Sequence, residues 1–281
     1  MSQNKKKMNQ EKKAKRGLPD YDNPPVIEVV CGILFKDLEK LLAPYVGILW
    51  EKFRDDYPNV QEVSPLAPIA ESFDGTKQTE YEYQISPSLP RIWFIHKEKK
   101  GIIQIQRDRF LYNWRKVSES DAYPRYPFVM QKFKDSLSFF TQFLEQNNIG
   151  NIQPKQYELS YINHIPFGEG FNDLSDINNV FPDFIWKNNR ERFLPSPEGI
   201  NWRTSFLLPD KQGRLHVVIR DAVRKSDGRP IFILELTVRG GADIPYNEMT
   251  KWFDMAREWI VRGFSDLTQE KFQKEIWRRK G

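Results

Sequence analysis

Three groups of side chains in this sequence have the types and spacing to do chemistry. The first lies in the run IIQIQRDRFLYNWRK, where Gln104, Gln106, Arg107, Arg109, Arg115 and Lys116 are interleaved with Phe110, Tyr112 and Trp114. Amides and guanidinium groups beside flat rings can stack single-stranded bases and neutralise phosphates. The second is a pair of carboxylates, Glu28 and Glu158, each inside an apolar, β-branched run. If their strands lie together they would form a pair for acid–base work. Otherwise each faces solvent or pairs with a strand arginine. The third is a repeated Arg-Asp dipeptide, Arg107-Asp108 and Arg220-Asp221, which adds Arg220 to the candidate ligand or partner contacts.

The remaining reactive residue types carry less. His96, His164 and His216 are scattered and lack a neighbouring Cys or carboxylate at metal-ligand spacing, so they read as strand residues. Cys31 sits in an apolar run and reads as a core filler rather than a nucleophile. Gly240-Gly241 in VRGGAD matches no phosphate-loop pattern and reads as a turn. No catalytic residue, metal ligand or cofactor is assigned.

Strand parity leaves two backbones open for the aromatic run. Ile103 and Ile105 share one parity and Phe110, Tyr112 and Trp114 the other, so the apolar side changes phase near Arg107-Asp108-Arg109. A bulge at that point puts all five in the core and leaves the arginines to pair with carboxylates such as Asp108. A regular strand instead puts Gln104 and Gln106 on the side of Phe110, Tyr112 and Trp114, beside Arg115 and Lys116, as a binding surface. The glycine that an RNP1 motif requires is missing, and the core reading is preferred.

The elements that position these residues follow from periodicity. A strand is expected at 26–35 and a helix at 38–53, with Pro44 near its start. A loop follows at 59–88, with a short strand at 80–86, and then a hairpin turns at 98–101. A long amphipathic helix carries Val129, Met130, Phe133, Leu137, Phe140 and Leu144. Strands at 156–165, 199–208, 214–223 and 230–240 precede a terminal helix at 247–264. The fold class is α+β, with antiparallel sheet covered on one side by long helices. The order β-α-β-β-β-α occurs twice and suggests an internal duplication, aligning Glu28 with Glu158, Arg107-Asp108 with Arg220-Asp221, Met130 with Met249 and Lys132 with Lys251. Residues 1–17 form a disordered basic tail, and 18–150 and 151–281 are two halves of one unit.

With 281 residues, a net charge of +5 and a single cysteine, the chain fits a folded protein of a reducing, cytoplasmic compartment. It has no apolar run of membrane-spanning length. Residues 1–16 hold seven basic residues and one acid, residues 17–200 sum to −6, and residues 201–281 sum to +5. This asymmetry favours a localised contact, with a protein partner or a second copy, over a uniformly basic nucleic-acid binder. Nucleic acid remains an alternative through the basic tail and the C-terminal half.

NPPVIEVVCGILF, IIQIQRDRFLYNWRK, YELSYINHI and FSDLTQEKFQKEIWRR together make the chain resemble a sporadically distributed, uncharacterised prokaryotic protein family of about this length. The resemblance brings no activity and no catalytic residues. Its sporadic distribution implies a mobile phage-defence or toxin–antitoxin setting, in which a non-enzymatic sensor or neutralising partner is expected. The alternatives are a nucleic-acid-binding clamp and an enzyme whose pocket would join Glu28, Glu158, Arg107 and Arg220.

Overall fold

A computed structural model of the chain describes residues 17–67, 71, 89–186, 193–241 and 243–280. The basic tail up to residue 16 and the short strand expected at 80–86 lie outside the described residues. The first long strand, β2 (Val26–Phe35), forms where the β-branched run begins after Pro24-Pro25. Helix α1 (Ala43–Phe53) starts late, with Pro44 in its first turn, where a missing N–H costs nothing. Strands β3 (Asn59–Val63), β4 (Arg91–Ile95), β5 (Gly101–Gln106) and β6 (Arg109–Arg115) follow, then α2 (Tyr126–Gln146). The second half contributes β7 (Pro154–Pro166), β8 (Asn201–Leu207), β9 (Gly213–Val223), β10 (Pro230–Gly240), α3 (Met249–Leu267) and α4 (Glu270–Glu275). A short strand β1 (Asp20–Tyr21) pairs with the C-terminal β11 (Arg279–Lys280).

All the long strands join one nine-stranded antiparallel sheet in the order β3-β4-β5-β6-β2-β7-β10-β9-β8. The two halves meet at the centre, where β2 pairs with β7 from Val26↔Asn163 to Phe35↔Pro154. One sheet face is apolar. Val29, Cys31 and Ile33 of β2 align on it with Phe110, Tyr112 and Trp114 of β6, Tyr157, Leu159 and Tyr161 of β7, and Leu234, Leu236 and Val238 of β10, all in one core. Phe140 of α2 stacks on Phe110 at 5.1 Å, and Trp252 of α3 lies 5.5 Å from Tyr157. Phe133 and Phe253 join the two helices at 5.3 Å. Among the described residues, no helix is long and apolar enough to cross a membrane.

Several expectations are corrected. The run from Gly101 to Lys116 is neither a bulged nor a regular strand. It is a tight hairpin that turns at Arg107-Asp108, with Gln106 opposite Arg109. A two-residue turn explains the phase change, because it reverses the chain and returns both odd-numbered isoleucines and even-numbered aromatics to one face. Gln104 and Gln106 therefore face away from Phe110, Tyr112 and Trp114. The β-α-β-β-β-α pattern also changes in both halves. Four strands separate α1 from α2, and a 3-10 turn at Leu174–Asn179 stands where a helix was expected after β7. The loop expected at 59–88 opens with β3, an exposed edge strand that lacks the apolar alternation by which strands are recognised.

Gly240, expected in a turn with Gly241, instead ends β10 opposite Gly213, and the chain turns only from Gly241, whose carbonyl accepts from Ile244 N–H; both glycines serve close packing. A Cβ on Gly240 would run into the backbone of Gln212 and Gly213, and one on Gly241 would press on Tyr157 and Trp252.

Trp114 is 3% exposed and packs 5.3 Å from Tyr123. Replacing it with Ala is expected to cost about 3–5 kcal/mol in denaturant unfolding. Arg115→Ala, whose Nε–H donates to Lys99 O near the surface, should shift stability by no more than about 0.5 kcal/mol. Equal effects of the two changes would contradict this burial.

Candidate functional site

The other sheet face is polar, and its side chains are tied into chains of hydrogen bonds. Trp93 Nε1–H donates to Gln104 Oε1 at 2.9 Å, Gln104 Nε2–H donates to Asn113 Oδ1 at 2.6 Å, and Asn113 Nδ2–H donates to Glu28 Oε1 at 2.5 Å. Farther along the sheet, Arg239 pairs with Glu158, and the Ser160 and Thr237 hydroxyls bond at 2.7 Å. Glu71 reaches this face from the segment after β3. It pairs with Arg214 at 2.7 Å and with His216, while its backbone N–H donates to Gln156 Oε1. Gln104, Asn113, Ser160 and Thr237 are all buried, so these bonds satisfy groups that would otherwise be costly.

The seven candidate contact residues do not converge. Arg107 Nε–H donates to Leu41 O behind the turn. Arg109 is buried and pairs with Asp108, and Gln106 exchanges bonds with the Leu66 backbone. These lie at one end of the β5–β6 hairpin and Arg115 and Lys116 at the other. The structure brings Lys116 and Arg220 together, since both line a groove at that far end.

Glu28 and Glu158 lie on neighbouring strands and the same face, but they are not a pair. Glu28 sits opposite Ile162 and Glu158 opposite Gly32, an offset of four residues or about 13 Å along the strands. Glu158 is also held by Arg239. The carboxyl beside Glu28 is Glu235, which flanks Ile162 from its other side. Burial raises the Glu28 pKa; the Asn113 bond and the Arg115 charge oppose the rise, and Glu235 adds to it. At Glu71 burial works in the same upward direction, but the bonds from His216 and Arg214 outweigh it and the carboxyl sits below its ordinary value.

The groove has a volume of about 800 Å³. Its walls are the segment after β6, with Lys116 and Glu119, and the β9–β10 turn, with Arg224, Lys225 and Asp227. Arg224 bridges the walls by pairing with Glu119 at 2.9 Å and with Asp227 on its own turn. Pro166, Ile231 and Ile233 supply an apolar lining, with His164 and Arg220 beside them. Arg220 has no hydrogen-bond or ion-pair partner among the described residues, which leaves a guanidinium free for a carboxylate or phosphate. Burial, reinforced by Arg224 and Arg220, lowers the His164 pKa to about 4. His164 is therefore neutral in the folded protein near pH 7.

Asn113, Glu235, Glu71, Arg224 and Lys225 were not singled out by sequence reasoning. For Asn113 the signal was parity, which became usable once the turn at Arg107-Asp108 was recognised, and for Glu235 it was parity along β10, opposite to that of Leu234 and Leu236. Nothing local marks Glu71. Cys31 is fully buried and burial pushes its thiol far above the ordinary range, so it offers no ready nucleophile. Among the described residues, no three of His, Cys, Asp and Glu gather into a metal-binding group. No protein-family model matches the chain, and no curated protein matches it in sequence. The fold and groove define the class: an α+β protein with one apolar sheet face, one polar face and an open groove at the end of the polar face.

Two pH effects follow. The folded-state pKa of Glu28 is raised, so its contribution to stability is largest below the ordinary carboxyl value of 4.5 and declines as pH rises above it. Glu28→Gln, which keeps an acceptor for Asn113, should melt at or above wild type at neutral pH, with the gap closing near pH 4. His164 has the opposite sign. Its lowered pKa contributes stability above 6.5 that is lost as pH falls toward about 4, so His164→Gln should flatten that limb of a melting-temperature series. Parallel curves for wild type and either variant would refute the corresponding assignment.

Proposed function

We propose that this chain is a non-enzymatic protein-interaction component whose partner seats in the groove beside Arg220. The observation that carries this reading is the charge balance of the polar face. Arg239, Arg214, Arg109 and Arg224 are each paired with a carboxylate, and the groove combines apolar side chains with Arg220, whose guanidinium has no ion-pair partner among the described residues. A nucleic-acid clamp calls for a continuous row of free cations along the backbone path. A mixed apolar and polar lining suits a protein segment that presents an anionic residue next to apolar ones.

An internal duplication is part of the proposal. Outward from the central pair, the orders β2-β6-β5 and β7-β10-β9 correspond. Glu28 and Glu158 share a face, and Met130 and Met249 are buried on corresponding helices. The alignment of Arg107-Asp108 with Arg220-Asp221 needs an added one-residue shift. It places Ile103, which faces the core, over His216, which does not, whereas Ile103 over Val217 keeps both inward. The further step, a sensor or neutralising partner in a mobile defence or toxin–antitoxin module, rests on the family resemblance alone.

The enzyme alternative needs Glu28, Glu158, Arg107 and Arg220 in one pocket. Of these four, only Arg220 lines the groove.

Cross-linking through lysines during co-purification tests the proposal. Partner cross-links should fall on Lys116 and Lys225, and Arg220→Glu should abolish them while leaving melting unchanged. In parallel, full-length protein with its tail lysines changed to Gln should not bind single-stranded or duplex nucleic acid at moderate salt. Tail-independent binding whose salt slope drops in Arg220→Ala would overturn the protein-partner reading in favour of the clamp.

A further inference from the structure

On the apolar side of the same sheet end, a separate pocket of about 80 Å³ opens between β7, α3 and the starts of β2 and α2. Its lining includes Tyr123, Tyr126, Tyr161, Asn163, Leu236 and Arg257. The volume is several times what one water needs and about half that of a cavity of roughly 150 Å³ that admits benzene.

Three polar groups here have unused capacity. The Tyr123 and Tyr161 hydroxyls bond to each other at 2.9 Å, which uses one of their two protons. Among the described residues, nothing accepts the other. Asn163 is 1% exposed; its Nδ2–H donates to Leu234 O at 3.0 Å, while its Oδ1 receives no bond among the described residues. Arg257 lies over the Tyr126 ring at 4.8 Å and forms no ion pair among the described residues. Tyr126 itself is engaged, donating to Asp254 Oδ1 at 3.0 Å. A phenol proton, an amide oxygen and a guanidinium thus border one small apolar-walled space.

We propose that this pocket binds a small 2-hydroxy carboxylate of about two or three carbons, sized to its volume. The carboxylate pairs with Arg257 and accepts the spare phenol proton, and the hydroxyl donates to Asn163 Oδ1. Leu236 and the tyrosine rings receive the carbon skeleton. An amino acid of the same size fits less well, because Arg125 and Asp20 of the lining pair with each other and leave Arg257 as the charge its ammonium would meet. Burial holds the Tyr123 pKa up to about 12 and raises that of Tyr161, so both phenols keep their protons near neutral pH.

The test uses the full chain with glycolate and lactate as probes, and acetate, glycine and ethylene glycol as comparisons. Glycolate or lactate should raise the melting temperature and bind at least tenfold more tightly than acetate or glycine, and ethylene glycol should have no effect. Arg257→Gln should weaken glycolate binding at least tenfold, as should the double change Tyr123→Phe with Tyr161→Phe, which removes both phenol protons. In wild type, glycolate should shift the Asn163 side-chain amide resonance, a readout that does not depend on any variant folding. If no probe shifts either the melting temperature or that resonance, the pocket holds water only and the proposal fails. It fails equally if glycolate binds Arg257→Gln as well as wild type, or if glycine matches glycolate. None of these results bears on the groove beside Arg220, which lies on the other sheet face.

Discussion

The pairing of β2 with β7 is the constraint on which the rest of the molecule depends. These two central strands come from different halves of the chain, and their ladder turns two smaller antiparallel sheets into one of nine strands. Contacts this distant in sequence carry a loop-closure cost that local hairpins do not. Burial of Val29, Cys31, Ile33, Tyr157, Leu159 and Tyr161 in one core offsets it. Gly32, near the middle of this ladder, has a steric role. A Cβ there would run into the Leu111 side chain. Leu111 can lie across the centre of the polar face because residue 32 has no side chain.

The polar face shows how a sheet can bury hydrophilic groups without losing stability to them. Gln104, Asn113, Ser160 and Thr237 are buried and bonded to one another or to charged neighbours. Such a network is favourable only while complete, because removing one member leaves another desolvated and unpaired. Glu28 ends one chain of bonds with a carboxyl that burial drives toward its neutral form, whereas the bonds Glu71 makes with His216 and Arg214 hold its carboxyl below the ordinary value. Environment alone gives one residue type two opposite behaviours on one surface.

Much of this architecture was legible in the sequence. The strands expected at 26–35 and 230–240 form over Val26–Phe35 and Pro230–Gly240. The apolar positions predicted for α2, from Val129 to Leu144, are buried as periodicity requires. The turn at Arg107-Asp108 was missed because it lacks the glycine or asparagine that usually marks a two-residue hairpin, leaving only the phase change to report it. Glu71 was invisible for a different reason. Its partners, Arg214 and His216, lie more than a hundred residues away, and no local pattern encodes a contact between a loop and a remote strand.

The groove and the tyrosine pocket are separated by a single strand. Asn163 lines the pocket and the next residue, His164, lines the groove, because successive side chains of β7 point to opposite faces. Pro24, Pro25 and Val26 border both cavities. The β2–β7 register shifts between Val26 and Glu28, a bulge directly opposite this part of β7, and His164 N–H donates to Pro25 O just beyond it. A bulge re-aims the side chains around it and bends its strand locally. The two prolines add fixed φ angles and no backbone donors, which narrows the conformations open to this stretch. Pro24, Pro25 and Val26 thus form one wall shared by both cavities, and the hydrogen bond from His164 to Pro25 ties that wall to β7.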